Sequence, residues 1–230
     1  MSTDLTSMRL GIVHVGVWLA ATSKRFTDEI LPGVTVLYVC DDTIQNDFIA
    51  AGPGRIPTYL YLRIAGHARA LGQSGADLVI VGCSTMSRAS EYAQPMVDVP
   101  ILQIDRPMME RAVATGRRIG LMCTIATTVP SSTRLLRVVA DEAGREIEIV
   151  TRLRPDAIEH AKAGRRALHD EIVLDEVSRL AREVDVVVLA QLSMSELEDR
   201  TADMAAPVLN SGREGFARAR VLLEAIAASR

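Results

Sequence analysis

The sequence is poor in lysine, cysteine, long apolar runs and excess positive charge. Of 26 basic residues only Lys24 and Lys162 are lysines, so chemistry through a lysine amine has few candidates. Cysteine occurs three times, an odd number, without CxxC or metal-ligand spacing. That argues against a disulfide framework and a metal site, and for reduced thiols in a cytoplasmic protein. No apolar run approaches the ~20 residues needed to span a bilayer. The first fifteen residues, with acidic Asp4, lack the layout of a secretion signal. The net charge is −3 and the isoelectric point about 5.9, so neither nucleic acid nor an anionic membrane is implied as a partner. What is present, 48% hydrophobic and 24% charged residues, suits a soluble enzyme and not a disordered chain. A length of 230 residues is enough for a sizeable core in two small domains or one large one.

The chain nearly repeats itself. Residues 77–87 read DLVIVGCSTMS and residues 185–195 read DVVVLAQLSMS. RLGIVH at 9–14 matches RIGLMC at 118–123, and PILQ at 100–103 matches PVLN at 207–210. Arg9 and Arg118, Asp77 and Asp185, and Pro100 and Pro207 stand 109, 108 and 107 residues apart. A common spacing predicts an internal duplication and two similar lobes. Within it Cys83 stands opposite Gln191, so the chemistry of the cleft between the lobes is asymmetric.

Short apolar runs at 10–15, 35–39, 78–81 and 101–104 read as buried parallel strands. Runs at 119–122, 146–150, 186–189 and 208–209 repeat them. Helical spacing covers 58–73, 106–115, 131–143, 167–182 and 212–228, with a further candidate at 195–202. Alternation of this kind predicts an α/β fold of two pseudo-symmetric lobes, each a short parallel sheet flanked by helices. Residues 1–105 with 211–230 form the expected first lobe, carrying Cys83. Residues 106–210 form the second, carrying Gln191. Ligands of such sheets bind beyond the carboxyl ends of the strands, where His14, Cys83, Cys123 and Gln191 lie. The loop AGPGRIP at 51–57 is a candidate flap.

A lone cysteine is ordinarily a small buried hydrophobe. Cys83 differs by sitting at a strand-to-helix turn, where free backbone N–H groups favour a thiolate or an anionic ligand. Ser84, Thr85 and Ser87 beside it can donate to carboxylate oxygens. Cys123 reads as a buried strand residue. His14, its counterpart in the repeat, titrates near neutrality and can act as acid or base, although a satisfied strand-end histidine is the commoner case. Thr127 and Thr128 precede a helix start that they either cap or use to bind an anion. Cys40 reads as packing, and His67, His160 and His169 as solvated helix residues. Trp18 and Tyr59–Tyr61 are ascribed to core or lobe interface more readily than to the cleft.

VIVGCSTMS at 79–87, GLMCTIATT at 120–128, the strand before Gln191 and PVLNS at 207–211 resemble the aspartate/glutamate/hydantoin racemase superfamily. Maleate isomerase and arylmalonate decarboxylase are among its relatives, and the resemblance covers essentially the whole chain. It implies a cofactor-independent enzyme, with a small carboxylic acid as substrate in the cleft. Racemases of the family carry one cysteine per lobe, one removing the α proton and the other returning it to the opposite face. The first matches Cys83, and the second falls on Gln191. Glutamine has no titratable proton near neutral pH and so cannot replace a thiol as acid or base. Family decarboxylases use a single cysteine, but it belongs to the second lobe.

What the resemblance leaves is a one-thiol site, with catalytic Cys83 facing Gln191. Substrate contacts are expected from His14, Ser84, Thr85, Thr124, Thr127 and Ser193. A racemase or isomerase is the first expectation. A decarboxylase or lyase with one thiol is the second, and a catalytically silent carboxylate-binding protein the third. Relatives are often dimers or larger, which allows a homo-oligomer, and no exposed apolar stripe in the sequence decides it.

Overall fold

A computed structural model describes residues 4–230. The chain alternates strands and helices throughout. Its first half runs β1 (Arg9–His14), α1 (Leu19–Ile30), β2 (Thr35–Cys40), α2 (Asp42–Ala51), α3 (Thr58–Gln73), β3 (Leu78–Val81), α4 (Ala89–Ala93) and β4 (Ile101–Gln103). After α5 (Arg106–Thr115) come β5 (Arg118–Cys123), α6 (Thr128–Glu142), β6 (Glu148–Leu153), α7 (Pro155–Lys162), α8 (Arg166–Leu180) and β7 (Val186–Leu189). A 3-10 segment at Leu192–Arg200, β8 (Val208–Asn210) and α9 (Ser211–Ala228) complete it.

The strands form two four-stranded sheets, ordered β2-β1-β3-β4 and β6-β5-β7-β8, parallel throughout. The two orders are the same, and so are bonds at matching positions. Asp77 Oδ2 accepts from Arg9 N at 2.7 Å, and Asp185 Oδ2 accepts from Arg118 N at 2.8 Å. At the carboxyl ends, Gly82 N donates to Val13 O at 2.9 Å and Ala190 N to Met122 O at 3.0 Å. His14 thereby matches Cys123, and Cys83 matches Gln191.

Each sheet buries both faces, which is why its central strands are apolar without alternation. Leu10, Ile12, Leu78 and Ile80 pack against Phe26 of α1 and Phe216 and Leu223 of α9. On the opposite face Val13, Val79 and Val81 meet Ile64, Ala68 and Leu71 of α3. In the second sheet, Ile119, Leu121, Val186 and Val188 pack on α5 and α6. Met122, Val187 and Leu189 pack on Val173, Val177 and Leu180 of α8. The last helix thus returns to the first sheet.

Several elements differ from their sequence reading. Helices α1 (Leu19–Ile30), α2 (Asp42–Ala51) and α7 (Pro155–Lys162) were not among the helices expected from the sequence. The buried face of α1 is Leu19, Thr22, Ser23, Phe26 and Thr27, so three of its five residues carry hydroxyls. Strand β6 lies further along than 146–150, and 195–202 lies in the 3-10 segment and the turn after it. Helix α6 begins at Thr128, and Thr127 at its start makes no side-chain cap. The 52–57 loop lines a cavity with Tyr61, Arg88 and Arg134, away from Cys83. His169 is buried, its Nδ1 2.7 Å from Asp170 Oδ1, because a carboxylate beside it satisfies the ring. Half-buried His67 is held by Asp41 at 2.8 Å, and Cys40 is exposed. No helix among the described residues is long and apolar enough to cross a membrane.

Candidate active site

Strands β3 and β7 aim their carboxyl ends at one cleft, which holds Cys83, Ser84, Thr85, Thr128, Gln191 and Ser193. Its other walls are apolar: Val15, Trp18, Leu19, Phe48, Ile125 and Leu192. The cleft is narrow and only partly enclosed by these walls. Trp18 is the exposed one, at 51%, and its ring folds back over Gly16, where a Cβ would lie 2.7 Å from the ring.

Cys83 is buried at the end of β3. Burial pushes its thiol up to about 12, opposed by the backbone N–H groups of Met86 and Thr85 and reinforced by Asp105. The turn donors are thus present as the sequence implied, yet desolvation outweighs them. Burial thus keeps Cys83 in the thiol form near neutral pH. Ser84 Oγ beside it is buried without a hydrogen-bond partner. A hydroxyl left unsatisfied on a cleft wall is a donor waiting for an acceptor.

Gln191 faces Cys83 from the other sheet. Thr124 N donates to Gln191 Oε1 at 2.7 Å, and Thr124 Oγ1 donates to the same oxygen at 3.2 Å. A backbone N–H can only donate, so it fixes which end of the amide is oxygen. The NH₂ group is the end left for a ligand. Thr85 Oγ1 lies 3.1 Å from Thr128 Oγ1, and Ser131 Oγ donates to Thr85 O at 2.9 Å, which ties the start of α6 to the Cys83 turn.

Of the residues named from sequence, Cys83, Ser84, Thr85, Gln191 and Ser193 meet in the cleft. Thr124 lies one layer behind, holding Gln191. Thr127 is buried with its hydroxyl unpartnered, and Thr128, its neighbour, reaches the wall instead. His14 does not line the cleft. It is fully buried behind Gly82, both ring nitrogens lack partners, and its ring stacks on Tyr38 at 6.0 Å. Burial drops it to about 4, so it is neutral. Cys123 is buried too, and desolvation raises it to about 12. Sequence reasoning missed Leu19, Gln45 and Phe48, which come from α1 and α2 and carry no motif. Asp105 was missed as well. It is fully buried, accepts from Ser87 Oγ at 2.5 Å, and is raised to about 6 by burial despite that bond. Among the described residues no His, Cys, Asp or Glu cluster is arranged to hold a metal ion.

A family model described as Asp/Glu/Hydantoin racemase matches residues 20–219. Among curated proteins, glutamate racemase of Mycobacterium ulcerans (strain Agy99) is 33% identical over 134 residues, covering 55% of this chain and 45% of that protein. Glutamate racemase of Trichodesmium erythraeum (strain IMS101) is 30% identical over 141 residues, 58% of this chain and 48% of that one. The chain thus spans about half the length of these relatives. An aspartate racemase structure from Picrophilus torridus superposes with a TM-score of 0.73 at 17% identity, over 96% of this chain and 94% of that one. Allantoin racemase from Klebsiella pneumoniae gives 0.70 at 18%, over 96% and 88%. These structural likenesses speak to the fold alone, whereas the family model spans most of the sequence. The chain belongs to the Asp/Glu/Hydantoin racemase family.

Proposed function

We propose that this chain is a cofactor-independent racemase or isomerase that acts on a small carboxylic acid at the carbon α to its carboxylate. The observation that carries the reading is Ser84 Oγ, buried and unpartnered beside the Cys83 thiol. Together with the Gln191 amide it offers donors to a carboxylate, and to the enediolate that forms when the α carbon loses a substituent. Such preset donors are worth several kcal/mol of barrier, on the order of 3 for a single one. Cys83 is the residue that exchanges the proton. Its thiol must be deprotonated to act as a base, and because burial raises it, substrate donors and turn N–H groups have to assist that step.

A one-thiol decarboxylase or lyase is the second reading, favoured by Gln191. Thr124 holds it as a neutral donor, so the second face of the substrate meets no acid or base there. A protein that only binds carboxylates is the third. Proton NMR in heavy water with a pool of small acids tests all three, with Cys83→Ser as control. Cys83-dependent loss of an α-proton signal supports the first, and a new product signal supports the second. A Cys83→Ser protein as active as the wild type removes the thiol mechanism altogether.

A further inference from the structure

We infer that the substrate is a monocarboxylate whose α carbon bears an apolar substituent and no ammonium group. This rests on the proposed carboxylic-acid reading and narrows it.

Cys83 is the cleft's one ionisable side chain among the described residues; no Asp, Glu, Lys, Arg or His lines it. A second carboxylate, as in aspartate or glutamate, would enter a space without a cation to meet it. An unpaired charge taken out of water is strongly disfavoured. The cation that touches a lining residue is engaged from behind. Arg166 donates to Ser193 O at 2.9 Å and pairs with Asp170 and Glu196.

The same inventory turns away an ammonium group, which needs acceptors. Three backbone carbonyls of the turns already accept: Thr85 O from Ser131 Oγ, Gln191 O from Met194 N and Cys83 O from Met86 N. Other acceptors in the lining, among them the Gln45 amide and the hydroxyls of Ser84, Thr128 and Ser193, are neutral, and no carboxylate stands among them to balance an ammonium charge. Gln191 Oε1 is taken twice by Thr124. The buried carboxyl of Asp105 stands outside the lining and faces Ser87. What the cleft offers is neutral donors, with Ser84 Oγ and the Gln191 amide placed beside the thiol for one carboxylate and no cation for a second. Around it stand Trp18, Leu19, Phe48, Ile125 and Leu192. An apolar substituent gains from displacing water against these walls, and a charged one does not.

The test separates binding from turnover. Dissociation constants are measured by calorimetry for 2-phenylpropionate, 2-phenylglycine and glutamate, on the wild type and on Cys83→Ser. The first probe should bind at least tenfold tighter than the other two to both proteins. Trp18→Arg, at an exposed wall that a folded protein tolerates, should narrow or reverse the gap to glutamate. Equal or tighter binding of glutamate or phenylglycine overturns the inference, as does failure of all three to bind. Cys83-dependent α-deuteration is read in parallel. Deuteration of glutamate would keep the proposed activity and remove this specificity. Selective binding without deuteration would do the reverse.

Discussion

Thr124 presents both its backbone N–H and its hydroxyl to one oxygen of Gln191, at 2.7 and 3.2 Å. The amide is therefore oriented before any ligand arrives. Gln191→Leu would leave a buried N–H and hydroxyl without an acceptor, a loss of about 1–3 kcal/mol measurable by urea unfolding. Gln191→Glu should cost less stability, because a carboxylate can still accept from Thr124. It should weaken binding of anionic acids at least tenfold at pH 8, through repulsion and loss of the NH₂ donor. Undiminished binding would show that Gln191 does not touch the carboxylate.

The thiol of Cys83 should be unreactive until a ligand or high pH changes its state. With the group raised to about 12 by burial, alkylation by iodoacetamide should be slow at pH 7 and still climbing at pH 10. Cys40 is exposed and should be modified first, so Cys40→Ser simplifies the measurement. A Cys83 that alkylates with a midpoint near pH 7 would contradict the desolvated environment.

Gly82 keeps β3 against the imidazole behind it. A Cβ at Gly82 would lie 2.8 Å from His14 Nδ1 and 3.3 Å from Val13 O. Gly82→Ala should therefore destabilise the protein by about 1–3 kcal/mol through overpacking. It should also lower turnover by shifting the adjacent Cys83. The double variant Gly82→Ala with His14→Ala should recover part of the stability, and strict additivity would rule out that contact as the cause.

Acid should unfold the protein partly through His14. Burial depresses its folded value to about 4 against 6.5 in the open chain, so the unfolded state takes up the proton first. The stability contributed by the neutral ring is complete above pH 6.5 and drains away as pH falls to 4. The amount is on the order of 3 kcal/mol. A His14→Gln variant should show a flatter stability profile between those limits, and an unchanged profile would mean the ring is solvated.

How much of this was legible in the sequence follows from which groups each element buries. Strands β1, β3, β5 and β7 are buried on both faces, so their composition announces them. Helix α1 buries Thr22, Ser23 and Thr27 alongside Leu19 and Phe26, so its buried stripe keeps helical spacing but only two of its members are large and apolar. The cleft divides in the same way. Cys83 and Gln191 stand at the ends of matched strands and can be found by aligning the chain with itself. Leu19, Gln45 and Phe48 reach the cleft from helices α1 and α2, where no motif singles them out, and with them the apolar character of the walls was hidden. His169 was misplaced because its partner Asp170 is the next residue in sequence, which reads as surface charge.

The matched serines Ser87 and Ser195 occupy equivalent places but bond with opposite polarity. Ser87 Oγ donates to the Asp105 carboxylate at 2.5 Å, whereas Ser195 Oγ accepts from Gly212 N at 3.0 Å. One scaffold thus holds an acid behind its reactive strand, and its twin holds a backbone amide. A planar enediolate in the cleft itself would meet the Cys83 thiol on one side and only the Gln191 amide, a hydrogen-bond donor, on the other. The protein is then a handed surface built from two like halves. If Cys83 alone carries the proton, one enantiomer of a chiral acid exchanges its α hydrogen while its mirror image merely occupies the cleft.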